Sequence, residues 1–189
     1  GEAQDGYGTR VWVAVDGALS GSLLICDTVK TGAREAVSRL KGMGIATAML
    51  TGDDSAAAQA VADRVGITQV YARLLPDEKL AALQTIRSQS GAAMFVGDGI
   101  NDAPVLSGAD VGAAMGSGAD AAIEAADVVF MTSSVDAIPA SIQIARSTQQ
   151  IAWQNVAFAL VVKAAVMVLG LLGHASMWAA VFADSGVAM

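Results

Sequence analysis

Three short runs hold the residues best suited to chemistry: Thr51-Gly52-Asp53, Pro76-Asp77-Glu78-Lys79 and Gly97-Asp98-Gly99-Ile100-Asn101-Asp102. The Thr51 hydroxyl and the backbone N–H groups after it can hydrogen-bond phosphate oxygens. The Lys79 ammonium can neutralise charge that develops on a transferred phosphoryl group. Asp98 and Asp102 are hard oxygen donors of the kind Mg²⁺ takes, usually one or two carboxylates with water and phosphate completing the shell. Glycines on both sides of Asp98 let the backbone turn tightly and approach a ligand. Taken singly, each run has an ordinary reading: a turn after a strand, a solvated lysine, an Asp/Asn loop of the calcium type. The last lacks the downstream bidentate Glu of such loops.

The elements around these runs give them a common address. Arg10–Val15, the turn pair Asp16-Gly17 and Ala18–Cys26 predict a hairpin. Ala33–Leu40 carries Ala36, Val37 and Leu40 at helical spacing, and Ala46–Leu50 is an apolar strand. Asp54–Val65 is an alanine-rich helix that Gly66 can end. Pro76–Ile86 opens with proline at a helix start, and Ala92–Val96 is another apolar strand. Asp110–Ala114 and Asp127–Met131 supply two more, around a Gly-rich loop and a short helix. Apolar strands each followed by a helix predict an α/β fold, a parallel sheet covered on both faces. In such sheets ligands bind at the carboxyl ends of the strands, where Thr51 and Asp98 stand.

Composition divides the chain. Of 189 residues 54% are hydrophobic and 15% charged, against ~25% charged in an average soluble domain. This is too apolar for disorder. A net charge of −7 argues against a nucleic-acid partner. A single cysteine, Cys26, excludes an internal disulfide framework and a Cys-rich zinc module. From Ile151 to Met189 the only formal charges are Lys163 and Asp184. Ile151–Leu172 would make a helix of roughly 33 Å, close to a hydrocarbon core of ~30 Å. A buried helix of a soluble protein is the plain alternative. After a turn near Gly173 and His174, Met177–Ala183 is a second apolar run, too short to span, so the chain is expected to be a fragment.

The runs in order resemble the P-type ATPases, whose phosphorylation domain has the haloacid-dehalogenase fold. The matching text is MLTGD (Met49–Asp53), PDEK (Pro76–Lys79), VGDGINDAP (Val96–Pro104), AMGSG (Ala114–Gly118) and AADVVFM (Ala125–Met131). VGDGINDAP is very specific, and the resemblance covers nearly the whole chain. It implies that Asp98, Asn101 and Asp102 form the Mg²⁺ and phosphoryl site, with Asp98 and Asp102 as magnesium ligands. It implies that Thr51 and Lys79 contact the phosphoryl group, alongside Gly52 and Asp53. Lys163 within a membrane helix and Asp184-Ser185-Gly186 in the next resemble the zinc/cadmium/lead branch, where such a pair belongs to the transported-cation site. An ionisable group inside a span is costly, ~2.5–3.5 kcal/mol on insertion scales, and is a functional candidate by default. The plain reading of Lys163 is a lysine that snorkels.

The resemblance implies three parts: residues 1–26 as the tail of a nucleotide-binding domain, 27–133 as the phosphorylation domain, and 134–189 as a connecting helix with the last two transmembrane helices, truncated. It implies ATP and Mg²⁺ as cofactors and Zn²⁺, Cd²⁺ or Pb²⁺ as cargo. It also implies membrane lipid and the missing N-terminal part of the same pump as partners, and a multi-pass location in the cell membrane with residues 1–150 cytoplasmic. The family's phosphorylated Asp-Lys-Thr-Gly-Thr run is absent. Asp27-Thr28-Val29-Lys30-Thr31-Gly32 imitates it, but is expected to be the hinge by which the chain re-enters the phosphorylation domain. That hinge usually ends in Arg, not Lys. Asp54 stands where the family commonly has Asn. Two other readings stay open: a small haloacid-dehalogenase phosphatase using Asp27, and a truncated, non-catalytic pump module. Cys26 reads as a small buried hydrophobe and His174 as a residue of the turn between spans.

Overall fold

The computed structural model describes residues 9–25, 28–98, 100–116 and 120–173. Cys26, Asp27, His174, Asp184 and the second apolar run lie outside them. The chain divides into two compact units, Gly1–Pro139 and Ala140–Met189.

The first unit opens with the expected hairpin. Strand β1 (Thr9–Val15) pairs antiparallel with β2 (Ala18–Ile25), and the register slips between Val13 and Ala14. Asp16 and Gly17 take φ of 52° and 79°. Two left-handed residues in a two-residue loop make the turn whose twist matches the flanking strands. Trp12, Leu19 and Leu23 of the hairpin are 60%, 66% and 61% exposed, so it leaves apolar surface uncovered.

Beyond the hairpin the chain alternates strand and helix. The order is α1 (Ala33–Gly42), β3 (Ala48–Leu50), α2 (Ser55–Val65), β4 (Gln69–Tyr71), α3 (Pro76–Ser90) and β5 (Met94–Gly97). A single 3-10 turn, Ile100–Asp102, leads into α4 (Ala103–Gly108), β6 (Val111–Met115), α5 (Asp120–Glu124) and β7 (Val128–Phe130). All strand pairs after the hairpin are parallel, as the apolar runs predict. Among the described residues they form two ladders, β3 with β4 and β5-β6-β7. Strand β4 and helix α4 are additions to the elements expected from the sequence.

The core sits where helices close over these ladders. Ala36 and Val37 of α1, Ala58 and Ala62 of α2, and Leu83 of α3 turn inward. Val105 and Leu106 of α4 are completely buried. Ala113 and Met115 of β6 pack with Phe130 of β7, and Ile138 joins them. Two acidic side chains tie strands to their neighbours. Asp110 accepts from the Ala93 N–H at 2.8 Å, and Asp127 accepts from the Gly112 N–H at 2.8 Å.

Helix α6 (Ala137–Leu171) is 35 residues long. The sequence separates a connecting helix from a span starting near Ile151; the structure makes them one continuous helix. Pro139 lies in its first turn, where proline costs no hydrogen bond. The helix is long and apolar enough to cross a membrane, and its most apolar stretch, of mean hydropathy 1.8, is unburied. The turn expected at Gly173 is present, with φ of 76°.

Candidate functional site

The site is built where β3 and β5 end. Thr51 follows β3, and its hydroxyl donates to Asp53 Oδ2 at 2.8 Å while accepting from the Asp53 N–H at 3.1 Å. This small closed turn holds the Thr51 oxygen at the strand end. Asp54 then caps α2, its Oδ2 accepting from the Ala56 N–H at 3.0 Å.

The segment after β4 runs alongside this turn. Thr51 N–H donates to Tyr71 O at 2.9 Å, Leu74 N–H to Thr51 O at 3.0 Å, and Arg73 N–H to Asp53 O at 2.9 Å. The Arg73 guanidinium also grips Asp54 Oδ1, with Nε at 3.0 Å and Nη2 closer. That hydrogen bond, followed by the Ala56 N–H, holds the Asp54 carboxyl below the usual carboxylate range.

The same segment feeds directly into α3. Pro76 starts the helix, and the Glu78 carboxylate accepts from the Leu75 N–H at 2.8 Å. Lys79 therefore leaves the first turn of α3 in a fixed direction. Its Nζ donates to Asp102 Oδ1 at 2.8 Å, and the two side chains are only 16% and 14% exposed.

Asp102 closes the 3-10 turn that follows β5. It lies over Gly97: a Cβ added there would stand 2.9 Å from Asp102 Cβ and 3.0 Å from its Oδ2. Only glycine at the end of β5 leaves that room. Asp98, the next residue, is half-open to solvent, and Lys30 Nζ stands 3.9 Å from its Oδ2. Asn101 is exposed.

A chain of contacts thus joins the three runs singled out in the sequence. The Thr51 turn is stitched to the β4–α3 segment, and α3 delivers Lys79 to Asp102. Gly52 lies within the stitched turn, and a Cβ there would meet Leu74 O at 3.4 Å. The two carboxylates expected to hold magnesium differ in their surroundings. Asp98 is the open carboxylate, while one oxygen of Asp102 is engaged by an ammonium. Two contributors carry little signal in the sequence: Lys30, which only the hinge expected there marks, and Arg73, which nothing marks except the acidic Asp54. Lys163 lies exposed on α6, in the second unit, away from these runs in the chain.

Haloacid dehalogenase-like hydrolases match residues 2–110, more than half of the chain. The chain belongs to the haloacid dehalogenase-like hydrolase family. Parallel strands ending in the Thr51 turn and the Asp98 loop are the part of that fold seen here.

Relatives extend the likeness past the haloacid dehalogenase-like domain into α6. The cadmium, zinc and cobalt-transporting ATPase of Bacillus subtilis is 50% identical over 187 residues, 96% of this chain and 27% of its own length. The zinc-transporting ATPase of Synechocystis is 50% identical over 189 residues, 98% of this chain and 26% of its own length. The crystal structure of a zinc-transporting PIB-type ATPase in its E2.Pi state superposes with a TM-score of 0.87 at 37% identity. That superposition covers 95% of this chain and 30% of the other. The chain thus spans about a quarter of the length of the curated relatives it matches.

Proposed function

We propose that this chain is the phosphorylation-domain and membrane-helix portion of a P-type ATPase that exports divalent heavy-metal cations. One observation carries this reading. Half of the residues match zinc-transporting ATPases along nearly the whole chain, so the Thr51–Lys79–Asp102 constellation and the apolar helix α6 come together in one polypeptide. Neither a soluble phosphatase nor a lone membrane anchor accounts for both.

In this reading residues 1–26 are the tail of a nucleotide-binding domain, which suits a hairpin that exposes Trp12 and Leu23. Residues 27–133 are the phosphorylation domain, cytoplasmic with the rest of residues 1–150. Residues 134–189 hold the connecting and membrane helices of a multi-pass protein whose lipid contacts cover α6. The upstream part of the pump supplies the aspartyl nucleophile and most of the ATP site. The Thr51 hydroxyl and the Gly52 amide orient the phosphoryl oxygens, with Asp53 beside them holding the Thr51 turn closed. Lys79, held by Asp102, offsets the negative charge on the phosphoryl group. Asn101 stands beside Asp102 as a further hydrogen-bonding group.

The oxygen donors suit Mg²⁺: Asp98 is open and loosely attended, and Asp102 Oδ2 completes a hard donor pair. Bound there, Mg²⁺ would neutralise phosphoryl charge. Zn²⁺, Cd²⁺ or Pb²⁺ is the cargo, with Asp184 as a carboxylate ligand and Lys163 as its counter-ion when the site is empty. A carboxylate in a low-dielectric span attracts a divalent cation strongly, and the ammonium keeps it paired after release.

Metal-stimulated ATP hydrolysis by the full-length protein tests this reading. Zn²⁺ and Cd²⁺ should stimulate, and Asp184→Ala should abolish the stimulation while Lys163→Ala retains zinc binding and loses most turnover. Stimulation by monovalent copper alone, or equal zinc-stimulated rates in wild type and Asp184→Ala, would overturn it.

A further inference from the structure

The Thr51 turn must be held still if its hydroxyl is to orient a phosphoryl oxygen, and its own hydrogen bonds do not fix it to the rest of the domain. The Thr51–Asp53 pair is internal to the turn. External anchorage comes from the segment after β4, and Arg73 supplies two of its attachments. The Arg73 N–H donates to Asp53 O at 2.9 Å, and its guanidinium takes Asp54 Oδ1.

The backbone of Arg73 is unusual for a residue with a side chain. Its φ is 59°, and the only other non-glycine residue with positive φ among the described residues is Asp16, in the hairpin turn. A long side chain in the left-handed region is uncommon and strained, and persists where surrounding contacts over-determine it. Here those contacts are identifiable. The left-handed residue carries a backbone bond to Asp53 and an ion pair to Asp54, consecutive residues at the end of the Thr51 turn.

Asp54 makes the arrangement specific. Its two carboxylate oxygens divide the work: Oδ2 caps α2 through the Ala56 N–H, and Oδ1 receives Arg73. An asparagine could keep the cap through its carbonyl oxygen but could not form the ion pair. The aspartate therefore joins the α2 start, the Thr51 turn and the β4–α3 segment through one side chain.

We propose that Arg73, acting through Asp54, is a positioning residue for the Thr51 turn, and that the pair sets how well the site holds a tetrahedral phosphoryl group. The proposal rests on the reading that Thr51 contacts that group. It extends that reading to two side chains that touch no substrate.

The test uses inhibition of the full-length ATPase by orthovanadate, a phosphoryl mimic, with thermal unfolding of the same variants. Thr51→Ala should raise the half-inhibitory vanadate concentration roughly tenfold, the scale of one hydrogen bond to a charged group. Arg73→Ala and Asp54→Asn should each raise it several-fold, and the Arg73→Ala/Thr51→Ala double variant no further than Thr51→Ala alone. Asp54→Asn keeps the helix cap and gives up only an exposed ion pair, so its unfolding temperature at neutral pH should fall only slightly while vanadate sensitivity falls several-fold. Arg73→Lys, which keeps the charge but loses the forked donor geometry, should recover part of the loss. If Thr51→Ala weakens vanadate and both Arg73→Ala and Asp54→Asn leave it unchanged, the positioning role is wrong and the phosphoryl reading stands. Additive losses in the double variant would likewise overturn action through Thr51. A Thr51→Ala variant with wild-type vanadate sensitivity overturns both.

Discussion

Lys79 and Asp102, 23 residues apart, meet at 2.8 Å with both side chains largely buried. Neither charge has another strong partner as close among the described residues, so each depends on the other. Lys79→Met leaves a carboxylate in a poorly solvated place, and Asp102→Asn leaves an ammonium there. Each should cost somewhat less than the ~3–5 kcal/mol of a fully buried pair broken on one side, because both side chains keep some exposure. The Lys79→Met/Asp102→Asn double variant should be less destabilised than the sum of the singles, with a coupling of about 1–3 kcal/mol. Urea unfolding of the four proteins measures this, and strict additivity would show that the pair contributes nothing as a pair.

Glycines near the site differ in what an added methyl would meet, and this orders three alanine variants. At Gly112 the new Cβ would lie 2.4 Å from the Leu106 carbonyl oxygen, a backbone atom of a completely buried residue. At Gly97 it would lie 2.9 Å from Asp102 Cβ, which can retreat only by disturbing the Lys79 pair. At Gly108 it would meet Leu80 Cδ1 at 2.5 Å, the movable end of a flexible side chain. The expected order of destabilisation is Gly112→Ala, then Gly97→Ala, then Gly108→Ala, with the first two at or above the ~1–3 kcal/mol typical of overpacking. In the full-length protein Gly97→Ala should also impair the proposed ATP hydrolysis out of proportion to its loss of stability. A Gly108→Ala variant less stable than Gly112→Ala would contradict this account.

Acid should loosen two joints of the domain. The Ala93 N–H and then the Arg87 guanidinium hold the Asp110 carboxyl below the usual carboxylate range; Arg73 and the Ala56 N–H do the same for Asp54. A carboxyl depressed in the folded state stabilises above its unfolded value, and that stability is lost as pH falls through the folded value. Stability should therefore be flat from neutral pH down to the ordinary carboxylate range and fall below it. Asp110→Asn and Asp54→Asn should each make the acid limb shallower in unfolding midpoints taken between neutral pH and about pH 3. Acid limbs parallel to wild type in both variants would rule these carboxylates out as its source.

Much of the architecture was legible in the chain because it depends on local pattern. Asp16-Gly17 can adopt two left-handed residues in succession, so the hairpin turn was readable from two letters. Pro76 marks the start of α3 because its missing N–H is not needed there. The carboxyl ends of apolar strands located Thr51 and Asp98, and the near-absence of charge after Ile151 located the membrane-type helix. Other features have no local signal. Strand β4 is three residues long, too short for periodicity to register, and only its pairing with β3 makes it a strand. Helix α6 begins well before the apolar stretch, because backbone hydrogen bonding continues through polar residues that hydropathy treats as a boundary. Side-chain partners were the least legible. The sequence offered Asp102 as a magnesium ligand beside Asp98, and the structure gives one of its oxygens to Lys79. Arg73 reaches Asp54, 19 positions earlier in the chain. Residue type and spacing determine which groups can do chemistry. Which two of them meet depends on where α3 and the β4–α3 segment lie against the strand ends, and tertiary packing alone decides that.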